Sequence, residues 1–179
     1  MSAVTEGTRG EERLSRRDVL VAGAVGAASA AAIETGVAKA APARYPRVKV
    51  VELAKLKVNR PVTFNYPLQA QPNVLIDLGQ EVPKGIGPKR SIVAYSILCQ
   101  HMGCPVEYRR GLRELYCPCH QSRYDPERLG GIIHGLAMQP LPRVLLKVQR
   151  GAVWAVGVDG LIYGYRNNLR PGKRVGGGK

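Results

Sequence analysis

Cys99-Gln100-His101-Met102-Gly103-Cys104-Pro105, joined by residues 106–116 to Cys117-Pro118-Cys119-His120-Gln121-Ser122-Arg123-Tyr124-Asp125, is the stretch that decides the fold of this chain. All four cysteines of the 179 residues and two of the three histidines lie within it. Three chemistries use such a set. An even number of cysteines in an exported chain permits disulfides alone, but that gives no reason for a histidine two places after Cys99 and another three places after Cys117. Two Cys and two His also make a tetrahedral zinc set, which leaves Cys104 and Cys119 over. The third chemistry is an iron–sulfur centre to which each of two loops gives one Cys and one His.

Outward from this stretch the chain reads as short strands. Val48–Leu53, Pro61–Leu68, Val74–Leu78 and Ser91–Leu98 precede it, and Arg143–Gln149, Ala152–Val156 and Leu161–Tyr165 follow. Alternating or short apolar runs broken by Gly and Pro predict an antiparallel all-β domain, sandwich or barrel-like, with no helical period anywhere. Gly151 separates two of the runs, and Asp159-Gly160 is read as a hairpin turn before the last one. The domain is expected over residues 41–165. The tail 166–179 holds five basic residues and ends in Gly-Gly-Gly-Lys, so it is expected to be disordered or partner-bound rather than core. His134, between Ile133 and Gly135, is expected to be a local structural or surface group.

The first 40 residues are of another kind. Ser15-Arg16-Arg17-Asp18-Val19-Leu20 runs into an uncharged apolar stretch, Val19 to Ile33, and then into a small-x-small site at Ala38-Lys39-Ala40. The arginine pair resembles a twin-arginine export signal and predicts a periplasmic protein, or one on the outer face of the cytoplasmic membrane. Fifteen apolar residues fall short of the roughly 20 that cross a bilayer. Cleavage and retention as an anchor are both left open.

The formal charge of +14 belongs to the exported part, because residues 1–40 carry five basic and five acidic side chains and residues 41–179 carry 22 and 8. Export, the scatter of basic residues along the chain, and a single Phe and single Trp argue against a nucleic-acid partner. An acidic protein surface fits the charge, as does a merely solvated basic face.

The whole pattern, Cys-x-His-x-Gly-Cys followed by Cys-Pro-Cys-His-x-Ser-x-Tyr-Asp, resembles the Rieske family. That resemblance implies an all-β Rieske-type fold with a small cluster-binding part, about residues 97–143, inserted in the sandwich or barrel. It implies one [2Fe-2S] cluster with Cys99 and Cys117 on one iron and His101 and His120 on the other, and a Cys104–Cys119 disulfide between the two loops. Gly103 and Pro105 shape the first loop, and Gln139-Pro140-Leu141-Pro142 looks like the family's proline loop over the cluster. The Ser122 and Tyr124 hydroxyls would donate to a bridging sulfide and to a ligand thiolate.

Two ferric ions, two sulfides and two thiolates sum to zero charge, so histidine ligation eases reduction. Such centres lie at about −150 to +300 mV, against roughly −400 mV for four-cysteine clusters. Two hydroxyl donors favour the upper half of that range. Such a centre moves one electron and activates no substrate itself.

The context Cys99–Arg109, together with Gly130–Arg143, Tyr45-Pro-Arg-Val and Pro61–Pro67, is most similar to the small subunit of arsenite oxidase. The resemblance then implies a large subunit with a molybdenum pterin and a [3Fe-4S] cluster, and a periplasmic cytochrome c or copper protein as electron acceptor. The other exported setting is the Rieske subunit of a quinol:cytochrome c complex.

Overall fold

The computed structural model describes residues 44–170, so the export signal read at residues 1–40, its cleavage or retention, and the end of the basic tail lie outside the described residues. Among those residues no helix is long and apolar enough to cross a membrane. Among the described residues ten strands form two antiparallel sheets, and the helical content is a single 3-10 turn, Leu53–Lys55. The larger sheet is built of β1 (Val48–Glu52), β2 (Val62–Asn65), β3 (Pro72–Asp77), β4 (Ile92–Ser96), β9 (Arg143–Gln149) and β10 (Ala152–Asp159), in the order β1-β10-β9-β4-β3-β2. The smaller sheet takes β5 (Glu107–Arg109), β6 (Glu114–Tyr116), β7 (Arg123–Asp125) and β8 (Gly131–His134) in chain order. It is inserted in sequence between β4 and β9, as the all-β expectation with an inserted cluster-bearing part requires.

The burial pattern of β3 and β4 explains the architecture. Val74 and Ile76 on β3, with Val93 and Tyr95 on β4, join a core that includes Leu115, Tyr124, Cys99 and Cys117. The alternate residues Leu75, Ile92 and Ala94 face the other way, into a core with Val144, Val153 and Ala155. Side chains alternate across a strand, so a strand covered on both faces is apolar at every position, and all five residues of β4 are buried. β4 is thus the wall shared by the two cores. β4 and β9 meet at one residue pair, Tyr95 and Arg143, where the two halves of the large sheet join.

Three details differ from the sequence expectation. Leu161–Tyr165 is not a strand: Gly160 and Gly164 have positive φ, and the segment folds into turns held by the Asn168 side chain, which accepts from Ile162 N–H at 2.9 Å. β10 therefore runs on to Asp159, and the tight hairpin turn is Arg150-Gly151, both at positive φ, between β9 and β10. The tail does not begin at Arg166 as loose chain. Asn168 and Leu169 are buried, and Asn168 Nδ2 donates to Gly160 C=O at 2.8 Å.

Candidate metal centre

The two cysteine–histidine segments form loops with the same backbone closure. In the first, Cys99 N–H donates to Cys104 C=O at 2.9 Å and Gly103 N–H donates back to Cys99 C=O at 2.8 Å. In the second, Cys117 N–H donates to Ser122 C=O at 2.8 Å and Gln121 N–H to Cys117 C=O at 3.0 Å. The fifth residue of each loop, Gly103 or Gln121, carries the positive φ that such a closure needs, 74° and 61°. At Gly103 a second reason applies, since a Cβ there would stand 2.6 Å from the Tyr163 ring. Pro105 follows the first loop on its exposed side, bridged to Leu98.

The loops bring the sequence-identified side chains together. Cys104 and Cys119 are joined in a disulfide that ties one loop to the other across 15 residues. Cys99 and Cys117 are free and buried. The sulfurs of Cys104, Cys117 and Cys119 lie within 4.8 Å of one another, but the first and last are consumed in the disulfide, so Cys99 and Cys117 are the thiols that remain to bind metal. His101 and His120 meet edge to face with ring centres 4.7 Å apart. His120 is exposed, whereas the Nδ1 of His101 is buried and has no hydrogen-bond partner. A buried ring nitrogen left unpaired is costly unless something else takes its lone pair, and a metal ion does. Two buried free thiols on the same two loops as two imidazoles in contact with each other fit a mixed Cys/His iron–sulfur centre on this chemistry.

The surroundings favour thiolate at Cys99. Burial raises that thiol, but the Tyr124 hydroxyl, the His101 N–H and the side chains of Cys117 and Ser122 together hold it below its ordinary value. Burial pushes the Cys117 thiol up, against the backbone N–H groups of Cys119 and His120. Tyr124 Oη lies 3.1 Å from Cys99 Sγ and accepts Gln100 N–H at 3.1 Å, which turns the phenol proton toward the sulfur. Burial, then the bond to Cys99, raises the Tyr124 hydroxyl well above its usual range. Ser122 is fully buried, and its Oγ accepts Ala137 N–H at 3.2 Å, which leaves the hydroxyl proton free to donate.

Several residues that hold this arrangement carried no signal in the sequence. Gly135 crosses Ser122 so closely that a Cβ would lie 2.5 Å from Ser122 Cα. Glu114, buried in β6, accepts from Arg123 Nη2 at 2.7 Å, and Arg123 sits on β7 between Ser122 and Tyr124. Arg113 donates to Glu127 at 2.6 Å and to Leu78 C=O at 2.8 Å, and so fastens the small sheet to the end of β3. His134 is exposed on β8 opposite Arg123. The Gln139–Pro142 segment, expected over the cluster, lies beside Gln100 and is anchored by Leu141 N–H on Gly130 C=O at 3.0 Å. Pro142 is buried and Pro140 exposed. With Asp159–Tyr165 this segment borders a groove of about 610 Å³.

The family model described as Rieske [2Fe-2S] domain matches residues 48–148. The iodate reductase subunit IdrB of Denitromonas iodatirespirans is 41% identical over 160 residues, covering 87% of this chain and 86% of its own length. The subunit of the same name from Pseudomonas sp. (strain SCT) is 37% identical over 140 residues, 75% of this chain and 73% of its own. Likeness to the cytochrome bc1 complex Rieske iron-sulfur subunit of Streptomyces lividans is 40% identity over 68 residues, 37% of this chain and 40% of that one. Among solved structures, the soluble domain of the Rieske protein II (soxF) from Sulfolobus acidocaldarius superposes with a TM-score of 0.61 at 25% identity, over 68% of this chain and 82% of that one.

Proposed function

The chain belongs to the Rieske [2Fe-2S] domain family, and from that premise we propose that it is the electron-transfer subunit of an exported oxidoreductase whose large subunit acts on an oxyanion. Its cofactor is one [2Fe-2S] cluster of the Rieske type. When bound, that cluster supplies one-electron exchange. Cys99 and Cys117 hold one iron and His101 and His120 the other. The Cys104–Cys119 disulfide keeps the two loops together, and Ser122 and Tyr124 hold protons toward the sulfurs, which favours the more negative reduced state. The exposed edge of His120 is where the electron would pass to or from the external redox partner.

What carries the subunit reading is the extent of the likeness. It runs through most of both chains with the iodate reductase subunits, whereas with the bc1 subunit it is confined to a part. Substrate chemistry then belongs to a large subunit with a molybdenum pterin and a [3Fe-4S] cluster. The Cys99–Arg109 and Gly130–Arg143 context supports arsenite as the substrate, with electrons leaving through this chain to a periplasmic cytochrome c or copper protein. The likeness to iodate reductase subunits supports iodate, with electrons arriving through it. The shared 68-residue likeness to a bc1 subunit supports quinol oxidation instead.

The experiment is isolation of the exported complex from its native cells, with metal analysis and visible spectra of the cluster. Molybdenum with iron in a stable two-subunit complex is expected. Arsenite bleaching the oxidised cluster assigns arsenite oxidation, and iodate restoring the colour of the reduced cluster assigns iodate reduction. Haem without molybdenum in a membrane complex overturns the oxyanion reading in favour of quinol oxidation. Recovery of the cut or uncut N-terminus from the periplasmic fraction tests export.

A further inference from the structure

Large apolar side chains exposed to solvent are concentrated in one short segment. Among the described residues, five of the twelve fall within positions 129–138: Leu129, Ile132, Ile133, Leu136 and Met138, exposed by 40 to 84%. A sixth, Leu112, lines the same shallow hollow as Ile133. Scattered apolar residues on a surface need no explanation, but such a concentration along one strand and its flanks marks a place where something binds.

The segment is also a sheet edge. β8 is the last strand of the small sheet and pairs only with β7, so its other side offers main-chain N–H and C=O groups with no ladder partner. Gly131-Ile132-Ile133-His134 carries neither the lysine nor the proline that often blunts an edge, although the strand is short and Ile133 is left unpaired where the ladder with β7 is irregular.

We propose that β8 and the segment to Met138 are the docking edge for the large subunit of this protein's own complex, which lays an extended strand along β8 and covers the isoleucines and Leu136. This rests on the subunit reading given above. The occupant has to be protein, because an unpaired edge is satisfied by another main chain and not by acyl chains. It has to be acidic or neutral rather than a second copy. Residues 41–179 carry 22 basic against 8 acidic side chains, and the acids beside the hollow are already engaged, Glu127 with Arg113 and Asp125 with Arg128. Two such chains repel one another, whereas an acidic partner is drawn in.

The position suits electron exchange. Immediately past β8, Gly135 packs on Ser122 and Ala137 N–H bonds its hydroxyl, so the covered edge reaches the residue proposed to face the cluster within a few bonds.

The test uses the full chain in its native complex. The double substitution Ile133→Lys with Leu136→Lys places two charges on the edge, and Val148→Lys, on the exposed side of β9, is the control. The amount of molybdenum-bearing large subunit co-isolated per cluster is expected to fall about tenfold or more in the double variant, and to be unchanged in the control. Unaltered visible and electron-paramagnetic-resonance spectra of the cluster establish that the variant is folded. Amide hydrogens of residues 131–138 are expected to exchange more slowly in the complex than in the separated chain.

A large subunit retained in full by the folded double variant, or equal exchange in both states, overturns the inference alone. Self-association of the separated chain that the double substitution abolishes also overturns it, in favour of a second copy. If no large subunit accompanies the unsubstituted chain, the subunit reading fails and the docking edge with it.

Discussion

Tyr124 owes its orientation to two neighbours at once. Its oxygen accepts the Gln100 amide proton, so its own proton has one good destination, the Cys99 sulfur 3.1 Å away. A donor on a ligand sulfur stabilises the reduced centre more than the oxidised one, because the added electron falls partly on sulfur. Tyr124→Phe is therefore expected to lower the reduction potential by roughly 60 mV, the one-electron equivalent of a tenfold change, with the cluster retained. A spectroelectrochemical titration checks this, and an unchanged potential would show that the hydroxyl is not donating. Ser122→Ala should move the potential the same way, and it leaves Ala137 N–H without its acceptor. That orphaned amide adds about 1–3 kcal/mol of lost stability, measurable by urea unfolding. Ser122 and Tyr124 were legible in the sequence because the motif fixes their spacing. Gln100 and Ala137 were not, since any residue supplies an amide and only the fold says where it points.

At the level of the elements, the strands of the large sheet were readable and those of the small sheet were not. β9 was foreseen to the residue, and β4 was read as an apolar run because both of its faces are covered. β5 to β8 have three or four residues each, and unlike the equally short β2 they are not extended by flanking alternation, because the residues around them belong to the loops and turns they support. Leu161–Tyr165 looked like a strand because it is apolar, yet Gly160 and Gly164 at positive φ turn it across the first loop, where Tyr163 meets Gly103. Gly135 is the clearest case of a requirement invisible in one dimension. Its φ of 104° and its approach to the Ser122 backbone both exclude a side chain. Gly135→Ala is expected to destabilise the fold by about 1–3 kcal/mol or more and to loosen Ser122. A lowered urea midpoint together with a lowered potential would show both effects, and a variant as stable as the parent would contradict the packing described.

At the scale of the whole molecule, two of the three fully buried phenols, Tyr66 and Tyr95, lie away from the thiols, and their ionisation opposes folding. Burial pushes the hydroxyls of Tyr66 and Tyr95 well above their ordinary value. Tyr45 adds to the first, and for the second the Arg143 charge subtracts and Asp125 adds. In the unfolded chain both ionise near pH 10, while in the folded chain they stay neutral. Their contribution is complete below about pH 10 and is lost as the pH rises above it, until the folded-state values are also passed. Urea midpoints should agree at about pH 7 and about pH 9 and drop by about pH 11. Constancy throughout would mean that these phenols reach water in the folded state.

The disulfide between the loops has a consequence for a severed backbone. The path from Cys104 to Cys119 runs out along β5, around the exposed Arg110-Gly111-Leu112 turn and back along β6. A protease cutting after Arg110 divides the polypeptide into two fragments, one bearing Cys99 and His101 and the other Cys117 and His120. The Cys104–Cys119 bond is the covalent link between them, since the cut falls inside the ring it closes. Nicked protein should migrate as one species without reductant and as two with it, and keep its colour until the disulfide is reduced. The chain can lose its continuity at the turn between β5 and β6 without the two cysteine–histidine loops parting company.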